Sequence, residues 1–140
     1  MNRKNYQTKP HISSLEKHNT MHEEIKISEM LKYQRELWKE HKDTWSPMKP
    51  EAARESLLWM IEEVSEVISI IKKRGEQEIV NDIELRDKFI EELVDVFMYY
   101  LDVLNRYDIS AIDFSYAFIK KHNKNIVRNF DEEYKNSYRH

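Results

Sequence analysis

The sequence contains no cysteine, one glycine and three prolines among its 140 residues. Without cysteine the chain can form neither a disulfide framework nor a thiolate metal site. Sheet-rich domains need many turn residues, so the scarcity of glycine and proline favours long helices. No apolar run approaches the ~18 residues of a membrane span, and residues 1–14 have no apolar core like that of a signal peptide. A cytoplasmic protein is therefore the default expectation.

Charge is abundant in this chain. Charged residues make up 35% of the sequence, hydrophobic residues 40%, and the formal net charge is −3. The apolar content suffices for one domain with a modest core. We expect that domain at 20–130, preceded by a flexible arm at 1–19 and followed by a tail at 131–140. The negative net charge disfavours nucleic acid as a partner.

Apolar residues recur at helical spacing in four segments, and no segment alternates as a strand would. We predict a first helix that ends near His41, then helices over about 51–74, 86–106 and 111–130. The simplest packing of these elements is an all-α, antiparallel four-helix bundle.

Residues with known helix-terminal preferences lie at the ends of these segments. Thr20, in a possible capping box, and Ser28 are candidate N-caps of the first helix, and Ser110 is that of the fourth. Gly75 follows the second helix as a natural C-terminal cap. The proline-bounded segment 42–50 is predicted to be a loop, and residues 76–87 part loop and part short helix.

Two pairs of acidic residues occupy i, i+3 positions on consecutive predicted helices. Glu63 pairs with Glu66, and Glu92 pairs with Asp95. Residues three apart are neighbours on a helix, with Cβ atoms ~5–6 Å apart. Both pairs lie beside apolar positions, where carboxylates repel one another and lose solvation unless a cation compensates them. Mg²⁺ takes oxygen ligands of this kind, so the pattern predicts a magnesium site.

The carboxylates have two other interpretations. With 26 acidic residues in the chain, a single such spacing arises by chance on a solvated face, but two pairs beside apolar stripes are less easily explained that way. A di-iron bundle would need Glu-x-x-His on two helices, and no histidine falls near either pair.

The two acidic helices resemble those of the MazG-like, all-α nucleoside triphosphate pyrophosphohydrolases, relatives of the dimeric dUTPases and dCTP pyrophosphatases. The family signature is E-x-x-E, a spacer and E-x-x-D, which here is Glu63-Val64-Ser65-Glu66 followed by Glu92-Leu93-Val94-Asp95. The flanking sequences IEEVSEVISIIKK and EELVDVFMYYLDVL also match, and the similarity covers about 29–130.

The resemblance implies that these four carboxylates are catalytic and bind Mg²⁺, or Mn²⁺ in its place. It implies water attack at the α-phosphorus of a nucleoside triphosphate, which yields the monophosphate and pyrophosphate. It also implies a homodimer or homotetramer that assembles through its helices.

The fourth predicted helix carries a polar row that suits a triphosphate. Lys121, Asn125 and Arg128 fall at i, i+4 and i+7 on one face, and the family has a similar Lys-x-x-x-Asn-x-x-Arg run. A cation, an amide and a guanidinium in a row suit phosphate oxygens and a sugar or base edge. The other interpretation is an ordinary polar face of a lysine-rich helix.

Three aromatic residues are candidates for contact with the base. Trp45 lies in the proline-bounded loop, where an exposed indole can stack on a base. Trp59 precedes Glu63 by one turn and Tyr99 follows Asp95 by one turn, so packing and base contact both remain open for them. Trp38 is expected in the core, and Glu62 is expected to face solvent rather than the attacking water.

These features predict a Mg²⁺-dependent nucleotide pyrophosphohydrolase in which no side chain acts as the nucleophile. The alternative is a non-catalytic helical interaction module whose acidic seam mediates dimerisation. That module would show no turnover and no effect of metal on its stability.

Overall fold

The computed structural model describes residues 24–128 and 130–137, and every regular element in these ranges is helical. The elements are α1 (Ile27–His41), a 3₁₀ turn (Pro50–Ala52), α2 (Ala53–Arg74), α3 (Glu76–Asn81), α4 (Ile83–Arg106), α5 (Ala111–Ile126) and α6 (Phe130–Ser137). The all-α prediction is confirmed. The arm predicted at 1–19 and the cap predicted at Thr20 lie outside the described residues. No described helix is both long and apolar enough to cross a membrane.

The centre of the fold is the packing of α2 against α4, and the short helix α3 connects the two. The pair is antiparallel, since the C-terminal end of α4 meets the segment just before α2, where Arg106 donates a hydrogen bond to the carbonyl oxygen of Pro47. Helix α1 also packs against α4. The core between them contains Leu31, Leu101 and Leu104.

The first helix begins one residue before the predicted N-cap. Its N-cap is Lys26, whose backbone N–H donates to the side chain of Glu29 at 2.9 Å. The carboxylate of Glu29, at the third helical position, accepts from the N–H of the N-cap residue as in a capping box, so the helix starts at Ile27 and the prediction of Ser28 as N-cap is wrong. Ser110 is confirmed as the N-cap of α5, because its hydroxyl oxygen accepts from the backbone N–H of Asp113 at 3.1 Å.

The segment between the two long helices is more helical than its polarity predicted. Helix α2 ends at Arg74, and Gly75 follows as its C-terminal cap with φ +77°, as predicted. Helix α4 starts at Ile83 because the side chain of Asp82 accepts a hydrogen bond from the backbone N–H of Leu85 at 3.0 Å. At the C-terminal end, α5 stops at Ile126 and α6 occupies most of the predicted tail.

Much of the apolar surface of α2, α4 and α5 is exposed in the single chain. Val67 is buried, but Ile61 of α2 is 59% exposed, Val94 of α4 is 47% exposed and Phe118 of α5 is 61% exposed. Helix α5 lies against α1 and reaches α4 near its C-terminal end, where the ring of Phe114 meets that of Tyr100 edge-on with centroids 5.9 Å apart. The fourth long helix thus leaves one face of the α2–α4 pair uncovered.

Candidate metal centre and substrate cavity

Three carboxylates converge where the middle of α2 faces the middle of α4. The side-chain oxygens of Glu63, Glu92 and Asp95 all lie within 4.8 Å of one another. The i, i+3 spacing places Glu92 and Asp95 side by side on α4. The antiparallel packing then brings Glu63 of α2 opposite them. The structure therefore brings together three of the four acidic residues selected from the sequence.

The fourth acidic residue, Glu66, does not join this group. It lies nearly one turn further along α2 and is exposed. Its charge is still felt at Glu63, where it is the smallest of the influences that raise the pKa. A change of side-chain rotamer would be needed to add its oxygens to the other three.

The electrostatics of the cluster are those of uncompensated negative charge. Burial raises the pKa of Glu63 above its ordinary value, and the carboxylates of Asp95 and Glu92 raise this pKa further. Glu62 and Glu66 add smaller contributions in the same direction. Desolvation and like charges both disfavour the ionised form, and a bound cation would reverse both effects.

The donor set fits a hard divalent cation. Mg²⁺ binds oxygen at 2.0–2.1 Å, so two of its ligands lie at most ~4.2 Å apart. The observed separations of up to 4.8 Å need only small side-chain adjustments to reach this range. All three donors are carboxylates. Because they are partly exposed, a bound ion would keep coordination positions open for water and phosphate oxygens. Soft metals would instead require thiolate or thioether ligands, which the cluster does not supply.

A cavity of about 540 Å³ opens beside the carboxylates. Its walls come from α1, from the loop between α1 and α2, and from α2 and α4. It is lined by Gln34, Leu37, Thr44, Trp45, Ser46, Glu55, Ser56, Trp59, Glu63, Asp95, Met98, Tyr99, Asp102 and Arg106. All three aromatic residues selected from the sequence as base contacts therefore line one cavity with two of the carboxylates.

The aromatic residues differ in how they are held. Trp45 is 41% exposed and stacks on His41, with ring centroids 4.7 Å apart. Trp59 is also exposed, whereas Tyr99 is half-buried. Burial raises the pKa of the Tyr99 hydroxyl, and the nearby Glu63 carboxylate raises it further. The exposed faces of Trp45 and Trp59 are therefore available to a planar ligand.

The loop that carries Trp45 is fixed by its neighbours. The indole N–H of Trp38 donates to the carbonyl oxygen of Ser46 at 2.9 Å. The Ser46 hydroxyl donates to Glu55, and Arg106 donates to the carbonyl oxygen of Pro47. Trp38 is half-buried, so its role combines packing with attachment of this loop.

The polar row predicted on the fourth helix does not line the cavity of its own chain, and Arg128 lies beyond the end of α5 at Ile126, so the prediction of a shared helix face is wrong for Arg128. Arg128 forms an ion pair with Glu133 of α6, and Lys121 is exposed. The side-chain oxygen of Asn125 is buried without a hydrogen-bond partner among the described residues.

Sequence reasoning missed the buried polar residues at the inner end of the cavity. Gln34 of α1, Ser56 of α2, and Asp102 and Arg106 of α4 line this end, and all four are buried. The sequence does contain an indication of this site, because Asp102 interrupts the apolar stripe of α4 between Leu101 and Leu104. It also lies seven residues after Asp95, on the same helix face.

Comparison with known proteins gives one match. The family model described as the MazG nucleotide pyrophosphohydrolase domain matches residues 52–130, more than half of the chain. The matched segment spans α2 to α5 and includes the four carboxylates Glu63, Glu66, Glu92 and Asp95. No curated protein and no solved structure matches the chain. Helix α1 and the loop that carries Trp45 lie outside the matched residues.

Proposed function

The chain belongs to the MazG nucleotide pyrophosphohydrolase family, and on that premise we propose that it hydrolyses a nucleoside triphosphate to the monophosphate and pyrophosphate. The observation that carries this proposal is the convergence of Glu63, Glu92 and Asp95 beside a cavity lined by exposed aromatic rings. The carboxylates suit a metal that holds phosphates, and the rings suit a base. The cavity thus offers complementary ends to the two halves of a nucleotide.

Glu63, Glu92 and Asp95 would hold Mg²⁺, or Mn²⁺ in its place, and Glu66 is proposed to join them when its side chain turns inward. When bound, the cation offsets the negative charge of the phosphate chain and so favours attack by water at the α-phosphorus. In-line hydrolysis of this kind requires no nucleophilic side chain. Pyrophosphate is then the leaving group.

The aromatic residues would orient the substrate. Stacking on a base contributes about 1–3 kcal/mol per contact and tolerates any base, because every base has a π-face. Trp45 and Trp59 offer exposed indoles for this contact, and Tyr99 lines the cavity together with Asp95. These residues would hold the nucleotide while the carboxylate end positions its phosphates.

We also propose that the working unit is a homodimer or homotetramer. The uncovered apolar surface of α2, α4 and α5 is the kind of surface that soluble proteins bury in an interface. Lys121, Asn125 and Arg128 are proposed to contact the triphosphate held by a neighbouring copy, since they do not line the cavity of their own chain. The cytoplasmic location stays a prediction from the sequence.

The test is pyrophosphate release from a panel of all common NTPs and dNTPs in the presence of Mg²⁺. We expect turnover by the wild-type protein and its loss, by at least about 100-fold, in Glu63→Gln and Asp95→Asn. Glu91→Gln is the matched control, because Glu91 is an exposed acid of α4 outside the carboxylate cluster. Full activity in Glu63→Gln and Asp95→Asn, or no turnover of any nucleotide by the wild type, would favour the non-catalytic interaction module instead.

A further inference from the structure

The inner end of the cavity is an unusual place for charge. Gln34, Ser56, Asp102 and Arg106 line it, and the exposed fractions of these residues are only 5%, 2%, 4% and 6%. Burial of polar groups is costly unless they form hydrogen bonds, so such groups are normally paired. We call these four residues the polar pole of the cavity.

The hydrogen bonds of the polar pole are incomplete. The Oδ1 atom of Asp102 is buried and has no partner among the described residues. Burial raises the pKa of Asp102, and the neighbouring Gln34 side chain and the charge of Arg106 offset this rise only in part. Arg106 does not approach Asp102 within ion-pair distance, and its Nη1 is committed to the carbonyl oxygen of Pro47. One acceptor, the Oδ1 of Asp102, and one donor, the Nε–H of Arg106, are therefore left without partners among the described residues at the inner end of the cavity.

The polar pole lies two helical turns from the carboxylate cluster. On α4, Asp102 follows Asp95 by seven residues, and on the antiparallel α2, Ser56 precedes Glu63 by the same number. At a rise of 1.5 Å per residue, both helices place the two ends of the cavity about 10 Å apart. Trp59 and Tyr99 lie between these ends. A nucleotide with its phosphates at the carboxylates would extend its base towards the polar pole.

We propose that Asp102 selects nucleotides whose base carries an amino group, by accepting a hydrogen bond from that group at its unpartnered Oδ1. This inference rests on the proposed function for the direction in which the nucleotide lies. Cytosine presents an amino donor where uracil presents a carbonyl oxygen. The carbonyl would leave the buried Oδ1 unpaired and place two acceptors against each other. A buried site built for one hydrogen-bonding pattern rejects the opposite pattern strongly.

Cytosine and uracil nucleotides of the same sugar provide the test, because they differ little in shape and chiefly in hydrogen-bonding pattern at this edge. We expect wild-type kcat/KM to favour dCTP over dUTP, and CTP over UTP, by about 10-fold or more. In Asp102→Asn the amide nitrogen can donate to the uracil carbonyl, so the ratio should collapse or invert. Asp108→Asn is the matched control, since Asp108 is exposed just after the same helix at φ +54°, which asparagine tolerates. Its ratio should equal that of the wild type.

Each other result counts against the inference. Equal kcat/KM for the two bases in the wild type would overturn it. An equal loss for both bases in Asp102→Asn would also overturn it, because it would indicate a structural role or a bond to the sugar hydroxyl common to both.

If Asp102→Asn does not fold, calorimetric binding of dCMP and dUMP to the wild-type protein provides the test. We expect dCMP to bind more tightly than dUMP, and equal binding of the two would contradict the proposal. If no nucleotide is hydrolysed, the proposed function fails, while the dCMP to dUMP comparison still tests base selection.

Discussion

The side-chain amide of Asn105 donates a hydrogen bond of 3.0 Å to the backbone carbonyl oxygen of Leu31, in the buried contact between α4 and α1. The oxygen of the same amide accepts from Arg35 at 3.2 Å. This polar contact fixes the position of α1 along α4. It thereby places Gln34 of α1 beside Asp102 of α4 at the inner end of the cavity.

Asn105→Ala should lower the free energy of unfolding by about 1–3 kcal/mol, because it leaves the Leu31 carbonyl buried and unpaired. Urea denaturation measures this loss. Asn81→Ala is the control, since Asn81 makes the same kind of bond, to the Gln77 carbonyl at 2.7 Å, on the exposed surface of α3. We expect a change of about 0.5 kcal/mol or less there. Equal losses in the two variants would show that burial does not matter at Asn105.

Gly75→Ala should destabilise the protein by about 1–3 kcal/mol, because φ +77° with ψ 158° is accessible almost only to glycine. An added Cβ would meet no atom within 4 Å, so the loss is conformational and not steric. Gly75→Asn should be destabilised to a similar extent, since asparagine tolerates left-handed helical backbone but not this ψ. Thermal melts of both variants test this, and an unchanged melting temperature in either would refute it.

Trp38→Phe should loosen the loop that carries Trp45, because phenylalanine keeps a ring but cannot donate to the Ser46 carbonyl. We expect a loss of about 0.5–1.5 kcal/mol in unfolding free energy and a rise in KM for the nucleotide. Trp45→Ala should instead raise KM by about 5- to 150-fold through lost stacking, with little change in stability. The two variants thus separate attachment of the loop from contact with the substrate. A stability loss in Trp45→Ala as large as that in Trp38→Phe would contradict this division.

Glu63→Gln should stabilise the metal-free protein at pH 7–8, because the pKa of Glu63 is raised above its ordinary value of 4.5 by burial and by neighbouring carboxylates. The protonated carboxyl of Glu63 contributes fully to the stability of the folded state below pH 4.5. This contribution is lost as the pH rises through the raised pKa of Glu63. We therefore expect the variant to melt about 1–3 °C higher than the wild type in EDTA at pH 7–8. The difference should vanish below pH 4.5. A lower melting temperature of Glu63→Gln in EDTA would show that repulsion among the carboxylates does not destabilise the metal-free protein.

The helices were predictable because they follow from local spacing of apolar residues. The stripes that locate α1, α2, α4 and α5 need only the 3.6-residue period, and Ser110 and Gly75 mark ends through local backbone chemistry. The start of α1 was not predictable in this way, because the cap depends on whether Glu29 turns back to Lys26. The short helix α3 was also only partly predicted, because its burial of Ile79 depends on tertiary packing.

The candidate site was only partly readable from the sequence for a related reason. The i, i+3 rule pairs residues on one helix, so it grouped Glu63 with Glu66 and Glu92 with Asp95. The position of α2 along α4 determines which carboxylate oxygens meet between the two helices. In the observed packing Glu63 lies next to Glu92 and Asp95, whereas Glu66 is exposed. Asp102 was missed because its burial depends on tertiary packing, which includes α1, a helix distant in sequence whose Gln34 lies beside it.

The most direct test of the account is Mn²⁺ binding to the protein, followed by the electron paramagnetic resonance signal of the free ion. We expect saturable binding by the wild type, competition by Mg²⁺, and loss of this binding in Asp95→Asn and Glu92→Gln. Glu91→Gln should bind as the wild type does, because Glu91 lies outside the group of converging oxygens. Binding that is unchanged in Asp95→Asn and Glu92→Gln, or absent in the wild type, would contradict the claim that α2 and α4 together form a metal centre.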